Sequence, residues 1–304
     1  MATIITTGAF AKALWPGVNA WWGKAYAEHR VEYTDLFDTF KSSRNYEEDV
    51  GIASFGLPFI KDEAQTVQFD AEVQAFTTRY VHIVYGLGFV VTREMFEDDL
   101  YKVVGEKRAR ALAFSMRQGK EVVAANVYNR AFNATFTGGD GVTLLNTAHP
   151  LVSGGTAFNQ LATNSAISEA ALEQASIDIM NYTNDRGLKI AVTPQSLIVP
   201  TQLVFEAQRI LGSEYRVGTP NNDINALVVM NKFPMGIKVN HYLTSTTAWF
   251  IRTDVPDGMK YFERRGIEFN MENDWDTENA KYKATERYSF GWTDWRTLYG
   301  TPGA

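Results

Sequence analysis

Four histidines, His29, His82, His149 and His241, are the side chains of this 304-residue chain best suited to moving protons or binding metal. No two of them stand four residues apart, and there is no His-Glu-x-x-His run, so a zinc site on one helix face lacks its ligands. The chain has no cysteine, which removes thiolate nucleophiles, disulfides and sulfur-ligated zinc. His82 falls in an alternating strand pattern and His241 lies between Asn240 and Tyr242, both settings for a hydrogen-bonded structural histidine. His149 precedes Pro150 in a loop, the most site-like context of the four. With Asp185 it could serve a hydrolase or lyase, yet no Gly-x-Ser-x-Gly elbow accompanies it.

The acidic and glycine-rich candidates are weaker. Glu97, Asp98 and Asp99 are adjacent on a helical pattern and point to different sides, so they cannot jointly flank a reacting bond. Gly138-Gly139-Asp140-Gly141 lacks the Gly-Lys-Ser/Thr ending of a phosphate loop. Asp223, Asp254 and Asp257 do not have the spacing of a calcium loop and read as solvated turn residues. Lys107, Arg108, Arg110, Arg117 and Lys120 fall along one helix, to be solvated or to face acidic groups of another chain. Asn133-Ala134-Thr135 and Asn181-Tyr182-Thr183 are glycosylation sequons by pattern alone. The expectation is therefore a non-enzyme, with no cofactor and no metal.

Composition agrees. Hydrophobic residues make up 45% and charged residues 21%, the balance of a chain that folds around a core. The formal charge of −6 opposes nucleic-acid binding by counterion release, which needs a basic face. No run approaches eighteen uncharged apolar residues, so no membrane helix is expected. Met1 to Trp22 has no basic leader followed by an apolar core, and no secretory signal is expected there.

The elements that would position these residues form an unusual order. Residues 1–50 read as an arm, with Trp21, Trp22, Tyr26, Tyr33, Leu36, Phe37 and Phe40 to be buried against the chain's own body or against a neighbour. Phe55, Leu57, Phe59 and Ile60 form an apolar run broken by Gly56 and Pro58. Residues 66–70 and 78–85 alternate as two long strands with no third nearby, a projecting ribbon over residues 51–80. A helical period then runs over 94–132, roughly 60 Å at 1.5 Å per residue. The glycines near 140 mark a domain boundary. Beyond it the pattern predicts a helix over 168–182, strands over 188–192 and 196–200, and a helix over 201–212 capped by Thr201. A flexible tip follows over 213–225, then strands over 226–230, 236–243, 247–252, 267–269 and 281–290. The fold class is α+β with strands dominant.

That order resembles the major capsid proteins of tailed bacteriophages, of the Hong Kong 97-type fold, and most of all the Mu-like major head subunit group. The likeness is carried by Gly86 to Asp99, by Leu144-Leu145-Asn146-Thr147-Ala148-His149-Pro150, by Thr193 to Pro200, and by Tyr288-Ser289-Phe290-Gly291-Trp292. The resemblance implies an N-terminal arm (1–50), an extended loop (51–80), and a peripheral domain (81–137 and 266–304) with a spine helix over 94–132. An axial domain over 138–265 would end in a tip near 214–225. It also implies assembly into hexamers and pentamers of an icosahedral head in the virion, enclosing double-stranded DNA without sequence-specific binding. Synthesis would be in the host bacterial cytoplasm, with portal, scaffolding and decoration proteins as further partners. Trp15, Trp21, Trp22, Phe55, Leu57, Phe59, Ile60, Tyr215 and Arg216 are the expected contacts between subunits. A shell subunit of a bacterial encapsulating compartment, which shares the fold, is the alternative, and the His149 hydrolase or lyase the second.

Overall fold

The computed structural model describes residues 19–20, 22–53, 55–94, 101–215, 223–274 and 279–304. Two four-stranded sheets and one long helix form its frame. In the first sheet, β1 (Asp38–Lys41) pairs parallel with β10 (Met259–Asn273). β10 pairs antiparallel with β11 (Ala280–Trp292), and β11 with β4 (Ile83–Val91). Helix α2 (Tyr101–Asn129) packs on β11 and β4 of this sheet. Its 29 residues span about 43 Å. The 94–132 expectation overshot at its C-terminal end, where residues 130–132 are turn and Leu145 N–H donates to the Ala131 carbonyl at 2.9 Å.

The second sheet has the order β12 (Leu298–Thr301), β9 (Trp249–Thr253), β7 (Pro194–Pro200), β8 (Ile237–Asn240). Its strand β7 is apolar and buried along nearly its whole length, as expected of a strand covered on both faces. Helix α3 (Glu169–Met180) packs here through Ala171, Leu172, Ala175 and Ile179, and Ser168 Oγ accepts the Ala171 N–H to cap it. Helix α4 (Val204–Gly212) follows a 3₁₀ turn (Thr201–Leu203), and Thr201 does not cap it. Two short elements complete this part, the β5 (His149–Pro150)/β6 (Thr156–Ala157) pair and helix α5 (Ala226–Val229).

Four expectations change. The ribbon is real but made of other residues: β2 (Tyr46–Ala53) pairs antiparallel with β3 (Val73–Val81), so the 66–70 stretch is not a strand. The 78–85 strand breaks at His82, where the chain leaves the ribbon and enters the first sheet. Residues 226–229 are helical because Asn225 Oδ1 accepts the Leu227 N–H at 3.2 Å and only Leu227 is buried. Likewise 188–192 form no regular strand: Asn184 closes a tight turn over 184–188, and beyond it Lys189 makes only an isolated antiparallel bridge with Thr183.

Sheet membership also crosses the expected division of the chain. Leu298–Thr301 pair with β9 in the second sheet, whereas Met259 to Arg265 already lie in the first. Much of the segment expected to be an outlying arm folds onto its own subunit. Trp22 is 6% exposed and stacks on Phe269 with ring centroids 5.1 Å apart, and Leu36 and Phe37 are buried beside Tyr128. The Glu121 carboxylate on α2 accepts the N–H groups of Glu32 (3.1 Å) and Tyr33 (2.8 Å), which fixes the start of α1 (Tyr33–Leu36). Lys238 to Asp35 (2.9 Å) and Arg252 to Asp38 (2.5 Å) hold the same segment to the second sheet.

Candidate assembly surfaces

Between β2 and β3 the chain runs through residues 55–72 without regular structure. Phe55, Leu57, Phe59, Ile60, Val67 and Phe69 are all exposed there, Ile60 at 94% and Phe69 at 97%. Six large apolar groups in one short projecting loop exceed what a lone subunit normally leaves in water. At the tip, Gln65 N–H donates to the Asp62 carbonyl at 3.2 Å and Ala64 takes a left-handed φ of 67°. The base is closed by the Gly56 N–H donating to Asp70 Oδ2 at 2.7 Å.

The ribbon's root is polar and well seated. Tyr80 lies over Gly291, where a Cβ would come within 2.8 Å of its ring, and its hydroxyl is 2.6 Å from Thr293 Oγ1. Thr293 Oγ1 also donates to Asp49 Oδ2 at 2.7 Å, and Lys260 pairs with that same carboxylate. His82, 3% exposed, has Nδ1 3.0 Å from Ser289 Oγ and Nε2 3.0 Å from Ser42 Oγ. Burial, reinforced by the Arg287 charge, lowers its pKa and favours neutral imidazole at this joint.

A second surface lies at the far end of the second sheet. Tyr215 and Ile224 form an antiparallel bridge, and Asn225 N–H donates to the Glu214 carbonyl at 2.9 Å, which closes the base of the expected tip. Tyr215 and Ile224 are exposed at this base, and Phe205, Val229, Met230 and Met235 are exposed on the segments before and after it in the chain. Of the expected contact residues, Trp15, Trp21 and Arg216 lie outside the described residues. Phe55, Leu57, Phe59, Ile60 and Tyr215 are exposed, and Trp22 is taken up in its own subunit's core.

The chemical candidates resolve into structure. His149 is fully buried, stacked on Trp295 with centroids 4.5 Å apart. Its Nδ1 lies 2.6 Å from Asp140 Oδ2 and its Nε2 3.0 Å from Asn159 Oδ1. Asn159 Nδ2 in turn donates to the carbonyls of Leu144, Trp295 and Leu298. With both ring nitrogens occupied and no exposed edge, His149 staples the 140–160 loop to the C-terminal segment; it has no route to a substrate. Asp185 is held instead by Arg296 at 3.0 Å. Asp254 accepts from Thr193 N–H and Oγ1, as a turn residue does. Gly138 sits against the Trp292 indole, and Gly141 needs its φ of 80° for the turn. Among the described residues no group of three acidic or histidine side chains could hold a metal ion, and no helix is long and apolar enough to cross a membrane.

Two basic residues expected to be solvated or to face another chain are turned towards their own subunit. Arg117 lies over the Tyr26 ring at 4.1 Å, and Lys120 is buried, 2.6 Å from Glu286. Tyr26 is pushed up to about 12, by burial first and the Glu286 charge second. The signal for Lys120 was its place on the apolar side of the α2 pattern; its partner is 166 positions away and invisible to local reading.

No curated protein matches this chain by sequence. Solved structures do. A protein of Mycobacterium phage Che8 superposes with a TM-score of 0.53 at 13% identity over 90% of this chain and 93% of that one. The capsid of an empty GTA particle gives 0.56 at 10% identity, with 91% of each chain covered. The procapsid of bacteriophage JBD30 gives 0.50 at 13%, covering 97% of this chain and 76% of that one. At these identities the likeness establishes the fold, a mixed α+β capsid fold of the Hong Kong 97 type. Neither the encapsulating compartment nor a hydrolase is favoured. Residues 75–300 match the phage capsid protein family, and the chain belongs to that family, a structural shell subunit of a phage head that self-assembles into the virion capsid.

Proposed function

We propose that this subunit forms hexamers and pentamers that close an icosahedral head around double-stranded DNA, each copy laying its 55–72 loop over a neighbour. The observation that carries the reading is the exposure of Phe55, Leu57, Phe59, Ile60, Val67 and Phe69 on one loop, Ile60 and Phe69 almost completely. A closed shell needs contacts that a single copy cannot satisfy, and a reaching loop supplies one whose burial is available only in the assembly. Tyr215 and the apolar residues around it would meet their counterparts near a capsomer centre. In this reading the first sheet with α2 is the peripheral domain and the second sheet the axial domain, with Leu298–Thr301 belonging to the latter.

The acidic balance supports a wall that contains DNA without gripping it, because unpaired cations on an inner face would hold phosphate. The protein would have no catalytic activity and no cofactor, and would be made in the cytoplasm of a bacterial host. Portal, scaffolding and decoration proteins would be its other partners. Negative-stain microscopy of the expressed protein tests the reading: rings and closed particles are expected, and a stable monomer under every assembly condition would reject it.

A further inference from the structure

The 55–72 loop is held at a second point, away from its ribbon. Arg186, on the turn that links α3 to β7, crosses 116 positions of sequence to reach Asp70. Its Nη1 pairs with Asp70 Oδ2, its Nη2 donates to Asp70 Oδ1 at 3.3 Å, and Nη2 also donates to the Ala71 carbonyl at 2.7 Å. Asp70 Oδ2 meanwhile accepts the Gly56 N–H, so one carboxylate closes the loop's base and ties it to the body.

Arg186 is presented rigidly. Asn184 Oδ1 accepts the N–H groups of Arg186 (3.0 Å) and Leu188 (2.9 Å), and Gly187 takes the left-handed φ of 80° that the turn requires. The preceding Asp185 is gripped by Arg296, whose Nε also donates to the Thr183 carbonyl at 2.8 Å. Arg296 itself is buried. A stiff turn thus holds out a guanidinium to a loop that has apolar residues facing water and little internal bonding.

We propose that Arg186 is a positioning residue for assembly: its clasp on Asp70 and Ala71 sets the direction of the apolar loop before a neighbouring copy arrives. This deepens the shell reading and rests on it. The physical reason is preorganisation. A free loop must surrender its conformational freedom when it docks, whereas a clasped loop has already given up part of it. Because the ribbon roots in the first sheet and Arg186 belongs to the second body, the loop's direction also follows how those two are set against each other.

The test compares wild type, Arg186→Ala, Arg186→Lys and Asp70→Asn. Protease cleavage within 55–72 is measured on dissociated subunits, assembly rate by light scattering, and particles by microscopy. For Arg186→Ala, cleavage is expected to rise about three- to tenfold and assembly to slow by a similar factor, the scale of losing an exposed multidentate ion pair. The melting midpoint and the final particle shape should stay as in wild type. Arg186→Lys is expected to fall between, since an ammonium cannot reproduce the fork. Asp70→Asn keeps the Gly56 acceptor and should repeat most of the Arg186→Ala effect. Wild-type cleavage and assembly rates in both Arg186→Ala and Asp70→Asn would overturn the clasp alone. A wild-type protein that forms no particles would overturn the shell reading, and with it the role in assembly.

Discussion

Lys120 Nζ lies 2.6 Å from Glu286 Oε2, with the two side chains only 4% and 1% exposed. The ammonium sits among the rings of Tyr33, Tyr261 and Tyr288, at 5.2–5.9 Å from their centroids, and donates to the Tyr26 hydroxyl at 3.4 Å. Burial raises the Glu286 pKa and the Lys120 charge opposes that rise, so each group depends on the other. The pair joins α2 to β11, and through Tyr26 and Tyr33 it also seats the N-terminal segment.

Removing one partner strands the other charge in the interior. Lys120→Met is expected to cost about 3–5 kcal/mol in urea unfolding of dissociated subunits. Adding Glu286→Leu should recover most of that loss, because two apolar groups of similar volume remove both desolvation penalties. A double variant no better than the single would show that the pair acts through something other than charge burial.

Charges placed on the loop separate folding from assembly. Ile60→Asp with Phe69→Asp alters two side chains that touch almost nothing in their own subunit. Subunit stability should move by no more than about 0.5 kcal/mol. Particle formation, followed by microscopy and sedimentation, should be abolished.

The loop clasp carries an acid limit. Asp70 is lowered to about 2 by the Arg186 hydrogen bonds first and the Gly56 N–H second. A depressed carboxyl contributes fully above its ordinary value of 3.8 and loses that contribution as pH falls through about 2. Pepsin cleavage of the loop should therefore rise across that window in wild type, and the rise should be absent in Asp70→Asn. Added salt should weaken the wild-type protection, as for any exposed pair.

His82 sets a second, milder limit at the ribbon joint. Its folded pKa is lowered from 6.5 by burial and then by Arg287, so the unfolded chain takes up the proton first. The stabilising contribution is present above pH 6.5 and declines as pH falls towards the lowered folded value. Thermal melts below pH 6.5 should show a smaller drop in midpoint for His82→Gln than for wild type.

Gly258 admits no side chain. A Cβ there would lie 1.3 Å from Thr297 Oγ1 and 2.4 Å from Thr297 Cβ, and Thr297 is fully buried. Gly258→Ala should destabilise the subunit by about 3 kcal/mol through overpacking, read by urea unfolding. It should lower particle yield only as far as folded protein is lost.

Local patterns in the sequence determined the elements whose signals are themselves local. The Leu197-Ile198-Val199 run made β7, Ser168 capped α3, and the 3.6-residue period made α2, because propensity, capping and amphipathicity act within a few turns of chain. The exposed apolar loop was also legible, since Gly56 and Pro58 interrupt Phe55 to Ile60 and exclude a helix. Tertiary structure alone decided pairing. The sequence reads residues 46–50 as the end of an arm, and in the structure they join residues 51–53 as one strand of the ribbon; it reads Lys120 as solvated or facing another chain, and the structure buries it against Glu286. Which strand bonds to which, and which charge meets which, depends on residues far apart in the chain, such as Asp38 opposite Lys260 and Lys120 beside Glu286. Such contacts are selected by the free energy of the whole packed subunit, and no window of neighbouring residues contains it.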